Sequence, residues 1–262
     1  MPRVTARDNP RLAEAARLVA SSRDRRKLGK CVLEGDHLVA VYIERFGLPE
    51  TLVVVETRVN DPRIAPLVAR MPPRDVVVVA APLFAEVAVA PADVGVLAVV
   101  ATPKSEVIAP ARFHLLLDDL QDPGNVGTIL RTAAAAGVDQ VLLSKACAFA
   151  WSPKVLRAGQ GAHFLTTVVE DVDLPTWARS FRARGGNIVA TAVRDATDLY
   201  AAEVREPWAV AIGNEGAGLS PALLDACNLR VTIPMPGGME SLNAAAAAAV
   251  VLFELVRRRV RK

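Results

Sequence analysis

Three polar segments hold the residue types from which chemistry can be built. The first is DDLQDPGNVGTILRTAAAAG, Asp118–Gly137. Here Asp122-Pro-Gly makes a turn, Asn125 is placed to cap a helix, and Gly127 leaves its first turn without a side chain, so that a ligand's backbone or sugar could approach. Arg131 lies one turn further on and points back toward that same end, where its planar fork suits a phosphate. Taken alone, this segment reads more simply as an N-capped helix with a surface arginine. The second segment, AIGNEGAGLS (Ala211–Ser220), sets three glycines within six residues. It is not a phosphate-binding P-loop, because Leu219 stands where lysine is required, and it is not a GxGxxG dinucleotide fingerprint. The third, IPMPGGMESLN (Ile233–Asn243), is longer than a turn between two apolar elements needs. It offers backbone N–H groups from Gly237 to Leu242, the Ser241 hydroxyl and the Asn243 amide, at the positive end of a helix.

The elements that must position these segments alternate. Strands read at His114–Leu117, Gln140–Ser144, Thr166–Glu170, Ile188–Val193, Trp208–Ile212 and Arg230–Pro234. Between and after them, helices read at Val126–Ala136, Pro153–Ala158, Leu174–Arg184, Pro221–Ala226 and Leu242–Arg259. Apolar strands alternating with helices predict a largely parallel sheet covered on both faces, with ligands at the carboxyl ends of its strands, where all three segments fall. Ala244–Ala249, six alanines in a row, predict close helix packing within the chain or across a dimer. Ahead of this half, a helix starts at Asn9-Pro10. Strands then read at Val32–Glu34, Thr51–Val55, Asp75–Ala80 and Val96–Ala101, with helices at His37–Phe46 and Leu83–Val87. The two halves are read as domains at 1–101 and 113–262, joined by a proline-containing linker at 102–112.

Composition narrows the class. The chain has 262 residues and 52% hydrophobic content, ordinary for a globular protein with a sizeable core. No apolar run is long enough for a membrane span and no secretory h-region opens the sequence, so a cytoplasmic protein without a membrane partner is expected. Cys31, Cys147 and Cys227, like His37, His114 and His163, are scattered, so neither a disulfide framework nor a metal site is expected. Net charge is +3, yet residues 1–30 hold nine basic residues (among them Arg3, Arg7, Arg11, Arg23, Arg25, Arg26, Lys27 and Lys30) against three acidic ones. Arg257, Arg258, Arg259, Arg261 and Lys262 close the chain. Basic clusters at both ends suggest a polyanion partner, or else a solvated helix face and a basic tail.

Taken together, Asn125-x-Gly127-x-x-x-Arg131, Gly213-x-Glu215-x-x-Gly218 and Ile233-Pro-Met235-x-Gly237-x-x-x-Ser241-Leu242-Asn243 resemble the three motifs of the SpoU/TrmH family. These are the RNA ribose 2′-O-methyltransferases of the SPOUT superfamily. Order and spacing match over about 150 residues, from Phe113 to the end. The first half is similar to the RNA substrate-binding domain that often precedes this catalytic domain, through RDRRKLGKCVLEGDHLV and the Asn-Pro helix. Cys31 stands there where an aromatic residue is common.

The resemblance implies a SPOUT-type α/β parallel sheet with a deep C-terminal trefoil knot, preceded by a smaller α/β domain like a ribosomal protein. It implies S-adenosylmethionine, held by Gly213, Asn214, Gly218, Ile233, Met235, Gly237, Ser241, Leu242 and Asn243, mostly through backbone atoms. Catalysis would fall to Arg131, Asn125, Glu215, Ser241 and Asn243. In this family the residue matching Arg131 is often proposed as the base. A guanidinium with a pKa above roughly 12 is a poor proton acceptor, which favours an electrostatic clamp on phosphate and developing alkoxide. RNA, ribosomal before transfer, would meet Arg23, Arg25, Arg26 and Lys27 and, through the family segment WSPKVLRAGQGAHF, Lys154 and Arg157. A homodimer through the catalytic domain is implied. The alternatives are a tRNA ribose methyltransferase, a self-protecting resistance methyltransferase, and an RNA-binding or ribosome-assembly factor that keeps the fold without the activity.

Overall fold

The computed structural model describes residues 3–4, 9–108, 111–193 and 195–260, and the side chains of all but the first two of these. Arg7, Arg261 and Lys262, and the side chain of Arg3, lie outside that description. The chain divides into two compact units. The first is Met1–Lys104 together with Trp151–Phe164, and the second is Ser105–Ala150 together with Leu165–Lys262.

The first unit opens with β1 (Arg3–Val4) and α1 (Pro10–Ala20). Asn9 caps α1, accepting from the N–H groups of Arg11 and Leu12, with Pro10 at the first helical position. Next come α2 (Ser22–Leu28), β2 (Lys30–Glu34) and α3 (Asp36–Phe46). They are followed by β3 (Thr51–Val55), α4 (Ala65–Arg70), β4 (Val76–Val79), α5 (Ala81–Val87) and β5 (Val96–Ala101). The sheet order is β1-β4-β3-β5-β2, with β5 antiparallel to both neighbours. One face packs Leu12, Ala15 and Leu18 of α1 against Val32, Val53, Val77, Leu97 and Val99. Two helices were not legible. The seven residues of α2 carry five charges and no apolar stripe, and α4 is a six-residue helix in a proline-rich stretch.

The second unit runs β6 (Phe113–Leu117), α6 (Pro123–Ala135) and β7 (Gln140–Leu143). Here the chain leaves for the first unit, where α7 (Pro153–Gly159) packs on β2. Aromatic rings seat this segment. Phe164 meets Tyr42 and Phe46 at centroid distances of 5.7 and 5.6 Å, and Trp151 lies 5.1 Å from His163. The second unit then resumes with β8 (Thr167–Val169), α8 (Leu174–Ala183), β9 (Asn187–Thr191), β10 (Thr197–Asp198) and β11 (Trp208–Ile212). It ends with α9 (Pro221–Ala226), β12 (Leu229–Thr232) and α10 (Ala244–Val260).

The seven strands of the second unit lie in the order β10-β12-β9-β11-β6-β7-β8, and every pair is parallel. Both faces are covered, as continuous apolar strands require. On one, Leu116, Leu142, Ile188, Ala209 and Ala211 pack on Leu174, Ala178 and Phe181 of α8 and Leu223 and Ala226 of α9. On the other, α10 packs against α6 and β11. The buried face of α10 begins with Ala244, Ala245 and Ala248, so three of the six alanines serve packing inside the chain. From β6 the chain moves outward through β7 and β8, then returns to build β9, β11 and β12 on the opposite side. That reversal sets the β6–β11 boundary as the sheet's switch point.

Candidate active site

At the switch point, the residue after β6 meets the loop after β11. The N–H of Asp118 donates to the carbonyl of Ile212 at 2.9 Å, and its carboxylate accepts from the N–H of Ser220 at 2.8 Å. Helix α6 is capped by Asp122, whose Oδ1 accepts from the N–H of Asn125 at 2.7 Å. This corrects the expectation that Asn125 is the cap. Pro123 fixes the first helical position one residue after Asp122, so Asn125 sits inside the first turn. Its amide is thereby released for other partners. The Asn125 Nδ2 donates to Glu215 Oε1 at 2.6 Å, and Asn243 Nδ2 donates to Asn125 Oδ1 at 3.0 Å. Asn243 also caps α10, accepting from the N–H groups of Ala245 and Ala246 at 2.9 and 3.3 Å. Helix α10 therefore starts at Ala244 rather than at the expected Leu242. One residue from each motif joins a single chain of bonds, running from the positive end of α10 to the Glu215 carboxylate. Each donor points the same way, so the bonds polarise one another.

Beside this network lies a cavity of about 460 Å³ at the carboxyl ends of β9, β11 and β12. Gly213, Asn214, Glu215, Gly218, Ile233, Met235, Ser241 and Leu242 all line it, with Asp195, Arg230 and Glu240 as further polar walls. The volume falls within the roughly 300–1,000 Å³ of small-molecule sites. Met235, Ser241 and Leu242 keep their backbone N–H groups out of hydrogen bonds among the described residues. These residues thus keep backbone donors available to a ligand with nitrogen and oxygen acceptors.

Several expected residues hold other positions. Gly237 is exposed and does not line the cavity, and Asn243 serves the network and the α10 cap instead. Gly213 is glycine because of its own chain. A Cβ there would lie 2.2 Å from the carbonyl carbon of Gly218, where the two residues' backbones cross. Gly127 is buried in α6 rather than open to a ligand. Asn214, expected to bind cofactor, spends its polar groups on the loop. It exchanges two backbone bonds of 2.9 Å with Gly218, its Oδ1 accepts from Gly216 and Ala217, and its Nδ2 donates to the Asp119 carbonyl. The side chain of Arg131 is exposed and forms no hydrogen bond or ion pair with other described residues, the network included. Ser241 lines the cavity but stays outside the network.

The basic residues divide by what surrounds them. Arg25 is buried, and its guanidinium donates to the carbonyls of Leu18 and Val19 at the end of α1. It braces two helices, and the expectation that it meets RNA is withdrawn. Burial pushes its pKa below the ordinary arginine value. Arg11 pairs with Asp75, and Lys30 pairs with Glu14 and Glu50. Arg23, Arg26 and Lys27 on α2 and Lys154 and Arg157 on α7 are exposed, and all five belong to the first unit. The last turn of α10 is internal structure: Arg257 and Arg258 flank Glu254 at 2.7 Å each, and Arg259 reaches Glu206 at 3.0 Å. The sequence reading missed Asp195 and Arg230 because they stand outside the motifs, and Glu240 because it fills an unspecified position of the third. Burial raises the thiol of Cys147 and pushes those of Cys31 and Cys227 up to about 12, so none is poised as a thiolate.

Fold and site together define an α/β protein built to hold a small polar molecule at the carboxyl ends of parallel strands. The chain belongs to the SpoU rRNA methylase family, whose model matches residues 112–253. It is 36% identical over 236 residues to the 23S rRNA (guanosine(2553)-2'-O)-methyltransferase RlmP of Bacillus subtilis, covering 90% of this chain and 92% of that protein. Among solved structures it is similar to the SpoU methyltransferase AviRb of Streptomyces viridochromogenes in complex with AdoMet. That match has a TM-score of 0.84 at 28% identity, over 96% of this chain and 98% of the other. It is also similar to the AdoMet-bound rRNA methyltransferase of Sinorhizobium meliloti, with a TM-score of 0.82 at 27% identity over 98% of each chain.

Proposed function

We propose that the chain transfers the methyl group of S-adenosylmethionine to a ribose 2′-hydroxyl of structured RNA, with ribosomal RNA as substrate. The observation that carries this reading is Glu215, which lines the cavity and accepts from Asn125, itself held by Asn243. A cofactor cavity and a set of oriented polar groups thus share one residue. Full-length similarity to a named 23S rRNA 2′-O-methyltransferase supports the substrate.

The cofactor supplies an activated methyl on a sulfonium, so the protein's task is to place an oxygen in line and help it shed a proton. Gly213, Gly218, Ile233, Met235, Ser241 and Leu242 would hold the cofactor, largely through backbone groups. Asn125 and Glu215 would orient the ribose beside it, and positioning of this kind supplies several powers of ten in rate. Arg131, exposed and without a protein partner among the described residues, would clamp the RNA phosphate and the developing alkoxide. The first unit would choose the RNA through Arg23, Arg26, Lys27, Lys154 and Arg157, with affinity falling steeply as salt rises. We read the segments Gly213–Gly218 and Met235–Asn243 as walls of the cofactor site and the second also as a strand of a trefoil knot, the enzyme as a homodimer through the second unit, and its place of work as the cytoplasm.

The test is transfer of radiolabelled methyl from S-adenosylmethionine to deproteinised ribosomal RNA, intact large subunits and bulk tRNA, each taken from a strain lacking the gene. Label in ribosomal RNA that survives alkali in a protected dinucleotide supports the reading. Label in tRNA would replace the substrate, and cofactor and RNA binding without transfer would replace the enzyme with an assembly factor.

A further inference from the structure

Glu215 projects from a segment with three glycines in six residues and is itself exposed. Left alone, such a loop would spread its carboxylate over many positions, since glycine is the least restricted residue. It is instead closed at both ends on the two residues that follow β6. At one end, the Asp118 carboxylate takes the Ser220 N–H at 2.8 Å. At the other, Asn214 Nδ2 donates to the Asp119 carbonyl at 2.9 Å, while its Oδ1 gathers the N–H groups of Gly216 and Ala217 at 2.9 and 3.0 Å. The paired backbone bonds between Asn214 and Gly218 seal the hairpin. Asp119 leads within three residues to Asp122, the cap of the helix that carries Asn125. The Asn214–Asp119 bond therefore sets the distance between the two backbones whose side chains meet as Glu215 and Asn125.

We propose that Asn214 is a positioning residue for methyl transfer, acting through Glu215: it fixes the loop on Asp119 so that the Glu215 carboxylate meets the Asn125 amide. The consequence for rate rests on the methyltransferase reading, whereas the geometric claim belongs to the protein free of any ligand. An aspartate at this position would keep the two acceptor bonds to Gly216 and Ala217 but lose the donor to Asp119. An alanine would lose all three.

Two measurements test this. The side-chain amide resonance of Asn125, assigned by its loss in Asn125→Ala, reports the bond to Glu215 in the free protein. Glu215→Ala should shift it, Asn214→Ala should shift it to the same place, and Asn214→Asp should shift it in the same direction. In methyl transfer to the RNA pool that the wild type labels, Asn214→Ala should lower kcat by about 10- to 100-fold, as misplacement near 1 Å does. Its KM for S-adenosylmethionine should stay within about threefold, and its addition to Glu215→Ala should cost nothing further. An Asn125 resonance unmoved in Asn214→Ala, or a kcat loss that adds in full to that of Glu215→Ala, would overturn the proposal. Should Asn214→Ala fail to fold, Asn214→Asp carries both measurements. If the wild type labels no RNA, the methyltransferase reading falls, while the resonance still decides the role of Asn214.

Discussion

The amide of Asn125 and the carboxylate of Glu215, ninety positions apart in the chain, meet at 2.6 Å. The orientation of that amide is determined on both sides. Asn243 must donate to its oxygen, because the Asn243 oxygen is already taken by the first turn of α10. Only the Asn125 nitrogen is then left for Glu215, which as a carboxylate can only accept.

A carboxylate at position 125 would reverse this arrangement. Asn125→Asp places like charges together and leaves Glu215 without its donor, so kcat for methyl transfer should fall by about 100- to 1,000-fold, the loss seen when one oriented donor is removed from an active site. The residue does not line the cavity, so calorimetric affinity for S-adenosylmethionine should remain within about threefold of wild type. A variant that lost cofactor binding in proportion to rate would make Asn125 a cofactor ligand instead.

Arg131 permits a cleaner distinction. As a clamp it needs its fork, so Arg131→Lys should lose on the order of 100-fold in kcat with the pH profile unchanged. Near-normal turnover together with a profile displaced toward lower pH would identify proton abstraction at this position.

Much of this fold is legible in the sequence wherever the cause is local. Trp208–Ile212 is legible to the residue because it is a short apolar run between a proline and a glycine, and the Asn9-Pro10 helix start because cap and first-turn chemistry are local. The cavity-lining residues of the second and third motifs follow from the resemblance to the SpoU/TrmH family, which those motifs carry. What could not be read depends on distant partners. Nothing local distinguishes Arg25 from Arg26, yet one turns inward to the carbonyls of α1 and the other faces solvent. The Pro153 helix reads as the next element of a βα alternation, and only the rings of Tyr42, Phe46 and Phe164 reveal that it packs with the first unit. The sequence offers Asn125 as a cap, but Asp122, three residues earlier, competes for the same role and wins through Pro123.

The division among the basic residues predicts opposite phenotypes for sequence neighbours. Arg25→Met should lower thermal stability, because the carbonyls of Leu18 and Val19 lose their donor, by roughly 1–3 kcal/mol. It should leave the salt dependence of RNA binding as it was. Lys154→Ala and Arg157→Ala should do the reverse. Each should weaken binding of ribosomal RNA and reduce the slope of log affinity against log salt by about one, with the melting temperature unchanged. Slopes that stay at the wild-type value in both exposed variants would remove α7 from the RNA-binding surface.

Acid sensitivity should trace in part to one carboxylate near the end of α10. Glu254 is 7% exposed and bonded to both Arg257 and Arg258 at 2.7 Å. The Arg257 hydrogen bond, with that of Arg258, holds its pKa down to about 2 against the ordinary 4.5, although burial works in the other direction. A carboxyl whose pKa is lower folded than unfolded binds more protons in the unfolded chain, so it favours folding at every pH above the unfolded value. That contribution should be complete above about pH 4.5 and should disappear as the pH falls toward 2. Its size at neutral pH is about 2 to 3 kcal/mol, the lower figure allowing for solvent screening of the half-exposed Arg257. Arg258 also donates to the carbonyls of Leu199 and Ala202, so protonating Glu254 loosens α10 from the segment that leads into β11. Glu254→Gln should therefore melt earlier than wild type at pH 7, and the gap should close steadily between pH 4.5 and pH 2 in a thermal denaturation series. A gap of constant width across that range would assign the acid response to other carboxylates and leave Glu254 a packing role alone.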